Sequence, residues 1–181
     1  MARSISWYTP LDKQKGKLTI QEMVLFGVLG ALTFALQVVM GPLPNIEPVS
    51  LLVMLFAVTF GWKSLCAVYT FVAMEILFYG FSVWNVYYLY VWAILAVAAI
   101  LMKKQQHPLV WALLSGVFGL VFGALCGIVD IFIGGFGYAA AKWVSGIPFD
   151  LLHCGGNFVI ALVMFAPLRK LLDKLYTRIK R

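Results

Sequence analysis

Polar and aromatic side chains in three separate stretches of this chain could together bind a small molecule. Asp150, His153 and Asn157 follow the spacing i, i+3, i+7. This spacing places them on one face of a helix, within about 11 Å along its axis. A polar group inside a lipid bilayer costs free energy unless it has a partner or a function. We interpret this face as part of a binding site, with helix capping and interhelical hydrogen bonds as the alternative.

The other two stretches lie between apolar runs. The segment Gly41–Pro48 contains Asn45 and Glu47 among prolines that stiffen the backbone. The segment Tyr79–Tyr88 is rich in aromatic residues, as expected of either a ring-lined pocket or an aromatic belt at a membrane interface. The substrate-binding residues that we predict are therefore Asn45, Glu47, Trp84, Asn85, Tyr87, Asp150, His153 and Asn157.

Motifs of enzymatic chemistry are missing from the sequence. It has no Walker A lysine motif, no GxSxG and no HExxH. Its cysteines, Cys66, Cys126 and Cys154, are too far apart for a CxxC metal motif and do not indicate a disulfide framework. We expect a protein that is not an enzyme and that has no catalytic residue, metal or cofactor.

Composition predicts which elements must position these residues. The chain is 63% hydrophobic and 12% charged, with a mean hydropathy of +0.95, whereas soluble domains have about 25% charged residues. We therefore expect one transmembrane domain, residues 1–181, of a multi-pass protein in the cell membrane, surrounded by lipid. The net charge of +7 lies in short flanks beside apolar runs, which is typical of cytoplasmic loops and argues against nucleic-acid binding.

The apolar runs predict an all-α bundle of six transmembrane helices. A single helix over 48–79 would place Lys63 near mid-membrane, at a cost of about 2.5–3.5 kcal/mol. It would also separate the two basic termini, whereas a turn at Gly61–Lys63 keeps both cytoplasmic. Every Lys and Arg except Lys142 then lies on the cytoplasmic side. The predicted helices are residues 19–40, 48–60, 64–79, 86–102, 109–130 and 148–172.

The residues between the fifth and sixth predicted helices, Ile131–Ile147, are rich in glycine. Because glycine is conformationally permissive, we expect this segment to form a long, mobile loop. Such a loop could cover a ligand bound at the outer face of the membrane.

Two stripes of small residues run along predicted helices. Gly27, Ala31 and Ala35 follow one another at spacings of four in the first helix, and the fifth helix carries Gly119, Gly123 and Gly127. Such a stripe forms a flat surface that another helix can approach closely in lipid. Each stripe could pack inside this bundle or dock a partner protein.

The chain resembles the S-components, the substrate-binding subunits, of energy-coupling factor (ECF) vitamin transporters. The resemblance rests on the small-residue stripe of the first helix, the segment Leu43–Pro48 and the segment Gly146–Asn157 with its Asp150, His153 and Asn157. It implies that the protein captures a vitamin outside the cell. It also implies docking through Gly27, Ala31 and Ala35 onto a transmembrane scaffold subunit, which carries two cytoplasmic ATPases that hydrolyse ATP. The docked subunit then topples and releases its substrate inside.

Among these S-components, the chain is most similar to the cobalamin-specific members, whose large corrinoid suits aromatic walls and glycine-rich loops. Thiamine, pantothenate, folate or a queuosine precursor are alternative substrates. An accessory membrane subunit without a ligand of its own is a different class of function. A small channel is another, although it would need polar residues through the inner half of the membrane, where the first and fourth helices offer almost none.

Overall fold

The computed structural model describes residues 18–43 and 46–179, and these form helices without any strand. This confirms the predicted all-helical class. Four stretches are long and apolar enough to cross a membrane, namely Ile20–Met40, Val49–Tyr79, Val83–Leu101 and Pro108–Arg178. The elements are α1 (Ile20–Met40), α2 (Val49–Phe60), a 3₁₀ turn (Gly61–Lys63), α3 (Ser64–Tyr79), α4 (Val83–Leu101) and α5 (Pro108–Ile179).

A charged network joins several elements at one end of the bundle. Thr19 and Glu22 form a reciprocal cap at the start of α1, with N–H to side-chain oxygen distances of 3.1 and 3.2 Å. The Glu22 carboxylate also accepts hydrogen bonds from Lys63 Nζ at 2.7 Å and from the Tyr176 hydroxyl at 3.0 Å. We call this the basic end, because Lys63 and Arg169 lie there.

The direction of α2 and α3 follows from their contacts with α1. Near the start of α1, Phe26 packs edge-to-face on Phe60, the last residue of α2, with ring centroids 5.3 Å apart. Near the end of α1, Phe34 packs in the same way on Phe78, close to the end of α3. Since Lys63 contacts the first turn of α1, the chain reverses at Gly61, whose φ of 59° favours glycine. Helix α3 therefore runs parallel to α1, and α2 runs antiparallel to both.

Helix α5 consists of two antiparallel arms joined at Gly135. This residue has φ 79° and ψ 176°, and it separates an N-terminal arm (residues 108–134) from a C-terminal arm (residues 136–179). The arms pack together along their length. Trp111 stacks on Phe165 with ring centroids 4.5 Å apart, and the Gly123 N–H donates a 3.1 Å hydrogen bond to Asp150 Oδ1.

The long loop predicted over Ile131–Ile147 is therefore wrong. Apart from Gly135, these residues are helical, and the helix continues through Pro148 to Ile179 instead of covering 148–172. The glycines suggested a loop, but one residue with positive φ is enough for the reversal. The run Ala139–Ala141 has the highest helix propensity, and helical hydrogen bonds satisfy backbone groups that lipid cannot.

The stripe Gly119, Gly123 and Gly127 packs largely inside the bundle. A Cβ added at Gly119 would lie 2.7 Å from the His153 carbonyl carbon, and one at Gly123 would lie 2.6 Å from Asp150 Oδ2. A Cβ at Gly127 would meet nothing within 4 Å. The first two glycines therefore let the C-terminal arm approach the N-terminal arm closely. That part of the stripe packs inside the bundle and does not dock a partner.

The stripe on α1 faces away from the other helices. A Cβ at Gly27 would meet no atom within 4 Å, Ala31 is partly exposed and Ala35 is exposed. The neighbouring Gly30 is the glycine that packs inside, because a Cβ there would lie 2.6 Å from Thr70 Cβ. The face formed by Gly27, Ala31 and Ala35 is thus left uncovered by the described part of the chain.

Candidate functional site

A cavity of about 600 Å³ opens at the end of the bundle opposite the basic end. It lies between α1, α4, the two arms of α5 and the segment that follows α1. Its volume is within the range of roughly 300–1,000 Å³ that is usual for small-molecule sites. The lining residues are Gln37, Met40, Gly41, Leu43, Glu47, Trp84, Tyr87, Tyr88, Phe122, Gly123, Cys126, Asp130, Lys142, Trp143, Ser145, Gly146, Phe149, Asp150 and His153.

Several residues predicted from the sequence meet at this cavity. Glu47 comes from the segment before α2, Trp84 and Tyr87 from the first turns of α4, and Asp150 and His153 from the C-terminal arm of α5. Their contact with a ligand stays a prediction. Asn45, which was predicted beside them, lies outside the described residues.

Asn85 does not line the cavity, and its side chain caps a helix instead. We expected α4 to start at Val86, but it starts at Val83, after Ser82. Asn85 Oδ1 accepts the Ser82 N–H at 2.6 Å and also lies 3.2 Å from the Ser82 hydroxyl. The side chain thus satisfies a backbone donor that the first turn of a helix leaves unpaired.

Replacing Asn85 with Ala should lower stability rather than ligand affinity. Asn85 is the third residue of α4, and its loss removes the hydrogen bond to the backbone of the N-cap residue Ser82. This loss should cost about 0.5–1.5 kcal/mol of unfolding free energy. Thermal unfolding in detergent would measure this loss, and Asn85→Asp is the matched control because it keeps an acceptor oxygen. A large loss of ligand affinity with unchanged thermal stability would contradict the capping role.

Asn157 lies deeper in the bundle and does not line the cavity. It is buried, and its Nδ2 donates to Ser50 Oγ at 2.9 Å and to the Ser115 carbonyl oxygen at 3.3 Å. It therefore joins α2 to both arms of α5. This is the interhelical hydrogen bonding that the sequence left open as the alternative to ligand contact.

A charged cluster forms one side of the cavity, next to the reversal at Gly135. Lys142 Nζ lies 2.8 Å from Asp130 Oδ1 and 2.8 Å from the Tyr87 hydroxyl, which itself donates to Asp130 Oδ1 at 2.5 Å. The ammonium group also lies 5.1 Å from the centre of the Tyr87 ring. The cluster joins α4 to both arms of α5.

Some buried polar atoms of lining residues have no hydrogen-bond partner among the described residues. They are Asp150 Oδ2, His153 Nε2 and Gln37 Oε1. Leaving a buried polar atom unpaired typically costs about 1–3 kcal/mol. Atoms of this kind around a cavity are where a ligand can form hydrogen bonds that the protein itself does not supply.

Glu47 adds a titratable group to the same wall. Burial, together with the nearby Glu75 carboxylate, raises the pKa of Glu47 to about 7. One of its carboxyl oxygens is 3.9 Å from His153 Nε2. Near neutral pH the Glu47 carboxyl group is therefore divided between its charged and uncharged forms.

Aromatic rings provide most of the remaining wall. Trp84 packs edge-to-face on Tyr87 with ring centroids 5.5 Å apart, and Phe122 lies 5.0 Å from the His153 ring. Rings that hold one another in place can form a wall of fixed shape for a flat ligand. The rings that line the cavity belong to Trp84, Tyr87, Tyr88, Phe122, Trp143 and Phe149.

Comparison with known proteins gives no match to this chain, whether to a family model, a curated protein or a solved structure. The cavity and the exposed helix faces are therefore the features that indicate a function. In the part of the chain that the structure describes, no three His, Cys, Asp or Glu residues group as metal ligands would.

The sequence did not lead us to several lining residues, of which Gln37, Cys126, Lys142 and Trp143 are examples. Lys142 carried a signal, because it was the one basic residue outside the predicted cytoplasmic segments. Its partner Asp130 was not predictable from spacing, since the two meet only because the chain reverses between them. Gln37, Cys126 and Trp143 carried no signal that separates them from core or lipid-facing residues.

Proposed function

We propose that this protein is the substrate-binding subunit of an ECF-type importer and that it captures a vitamin in the cavity. The observation that carries the proposal is the position and chemistry of the cavity. It lies opposite the basic end, and its wall combines aromatic rings with buried atoms of Asp150, His153 and Gln37 that have no hydrogen-bond partner among the described residues. A basic end favours the cytoplasm, so the cavity would open to the outside.

The proposal includes six membrane crossings with both termini in the cytoplasm. Six segments would each cross the membrane once, namely α1, α2, α3, α4 and the two arms of α5. The reversals at Gly61 and Gly135 support this count. Helix α2 has 12 residues and is about 18 Å long, so it is shorter than a hydrocarbon core of about 30 Å. It is almost entirely buried, so neighbouring helices shield it from lipid.

Reporter fusions should test this topology. A reporter at Arg181 should be cytoplasmic, and one inserted at Gly135 should be external, because five crossings separate the N-terminus from the reversal of α5 and one crossing separates the C-terminus from it. Activity of a compartment-specific enzyme in intact cells is the measurement. An external reporter at Arg181 would contradict the six-crossing arrangement.

The uncovered face of α1 supports the proposal that a partner protein binds there. Gly27, Ala31 and Ala35 leave a flat surface, and in lipid helices associate through close packing at small residues. We propose that a transmembrane scaffold subunit docks there, and that two cytoplasmic ATPases bound to the scaffold provide the energy for transport.

The rival functions account for the cavity less well. An accessory subunit has no need of unpartnered polar atoms around a cavity. A channel would need the cavity to continue toward the basic end, where the core instead contains packed apolar side chains such as Phe71, Trp92 and Phe118.

Binding of vitamins to the purified protein tests the proposal. Cobalamin is the first candidate, although a corrinoid is too large for a cavity of about 600 Å³ unless part of it stays outside the mouth. Titration calorimetry with cobalamin, thiamine, pantothenate, folate and a queuosine precursor should give one clear binder. Binding to none of them would refute capture of these vitamins.

A further inference from the structure

The charged groups around the cavity leave an excess of negative charge. Glu47, Asp130 and Asp150 contribute carboxyl groups, and Lys142 is the one Lys or Arg among the described lining residues. Its ammonium group is already held by Asp130 and Tyr87, at 2.8 Å from each. An anionic ligand would therefore find no free Lys or Arg in the described wall, whereas a cation would find the carboxylate of Asp150.

Two oxygen atoms of the wall have no hydrogen-bond partner among the described residues. With Asp150 ionised, neither oxygen can donate a hydrogen bond, so both act only as acceptors. Asp150 is 6% exposed, and its Oδ1 accepts the Gly123 N–H while Oδ2 has no partner among the described residues. Gln37 Oε1 is unpartnered in the same way. A ligand that satisfies both atoms must supply N–H or O–H donors or a positive charge.

His153 contributes a third polar atom, beside those oxygens. The residue is 4% exposed, and its Nε2 has no hydrogen-bond partner in the described part of the chain. A neutral imidazole has one donor and one acceptor nitrogen, so this atom can complement a ring nitrogen or an amino group of the ligand.

The aromatic wall has the same preference for positive charge. The face of an aromatic ring is electrostatically negative and attracts cations within about 6 Å of its centre. The wall already holds one cation in this way, because Lys142 Nζ lies 5.1 Å from the centre of the Tyr87 ring. Trp84, Tyr88 and Trp143 are further rings around the same space.

We infer that the cavity selects an organic cation with a flat heteroaromatic ring, and that the Asp150 carboxylate faces its charge or its N–H donors. This inference rests on the proposed function, because it takes the cavity as the substrate site. Among the vitamins considered above, it excludes the anions pantothenate and folate, and it places the cation thiamine ahead of cobalamin, which is too large to enter the cavity completely.

A matched series of pyridines tests the charge preference directly. The three compounds share one ring type but differ in charge: nicotinate is an anion, nicotinamide is uncharged and 1-methylnicotinamide is a cation. Calorimetric titration of the full chain in detergent should show that the cation binds about tenfold more tightly than nicotinamide and that nicotinate binds most weakly. Thiamine extends the series to a larger cation.

The variant Asp150→Asn then tests the assigned carboxylate. It should weaken binding of 1-methylnicotinamide and thiamine about ten- to a hundredfold, because a hydrogen bond to a charged group is lost. Affinity for uncharged nicotinamide should fall by a smaller factor, because this ligand offers N–H donors but no positive charge. An unchanged thermal midpoint in detergent shows that the variant remains folded. Asp173→Asn, at the basic end, is the matched control and should alter none of these affinities.

The inference and the proposed function fail in different ways. Nicotinate binding as tightly as the cation, undiminished cation binding by Asp150→Asn, or no cation binding at millimolar concentration would each overturn the ligand class. Tight binding of pantothenate or folate would overturn it too, while supporting a vitamin receptor. Loss of the receptor function itself requires that the wild-type chain bind no vitamin at all.

Discussion

Ala31→Trp should abolish assembly of this chain with its proposed scaffold subunit and, with it, vitamin uptake. Ala31 is partly exposed in the middle of the small-residue face of α1, and a Cβ at the adjacent Gly27 would touch nothing. An indole ring there would hold the two helices apart by more than the close approach that small residues allow. Co-purification with the scaffold and uptake of labelled vitamin by cells are the measurements.

Ligand binding by the isolated Ala31→Trp chain should be unchanged, because Ala31 does not line the cavity. Val163→Trp is the matched control, since Val163 is an exposed apolar residue within the C-terminal arm of α5. It should assemble and transport normally. Loss of ligand binding together with assembly in Ala31→Trp would show that this face packs within the bundle, contrary to the contacts described here.

Gly119→Ala should damage both stability and ligand binding. The added Cβ would lie 2.7 Å from the His153 carbonyl carbon and 2.9 Å from the Cys154 nitrogen. These are backbone atoms, so the whole C-terminal arm has to shift, and overpacking of this kind costs about 1–3 kcal/mol. The gain of up to about 1 kcal/mol from replacing a helical glycine does not offset the larger values. Because His153 lines the cavity, its displacement should also weaken binding.

Gly127→Ala is the control for that experiment. It lies two turns further along the same arm, and its Cβ would meet nothing within 4 Å. The helix-propensity gain should therefore appear alone, as an unchanged or slightly raised thermal midpoint. If Gly119→Ala and Gly127→Ala melt at the same temperature, the close approach of the two arms is not what limits stability.

The sequence predicted the fold best where only one arrangement of the chain avoids a large energetic cost. Lys63 could not stay in the middle of a membrane, so the reversal at Gly61–Lys63 was predictable, and the structure has a helix ending at Phe60 and another starting at Ser64. The glycines after Asp130 were ambiguous by contrast. Composition does not tell which one adopts a positive φ, and only Gly135 does so there.

Prediction of the cavity residues reached a similar limit. Asp150 and His153 shared a helical face in the sequence, and both line the cavity. Asn85 and Asn157 looked equivalent to them, because the same polar groups cap helices, join helices and bind ligands. Which of these roles a side chain takes depends on whether a donor or acceptor of the protein is near, as Ser82 is for Asn85 and Ser50 is for Asn157.

The network around Glu22 connects α1 to two distant parts of the chain at the basic end. Lys63 and Tyr176 bind the same carboxylate, so α1, the turn before α3 and the C-terminal arm of α5 are pinned together at the basic end. At the other end, the cavity lies between α1 and the two arms of α5. We expect any tightening around a ligand to be confined to that end, so that the pinned end has the same shape in the empty and the loaded protein. A partner that recognises the pinned end alone could not distinguish the two states, so information about loading has to come from the cavity side.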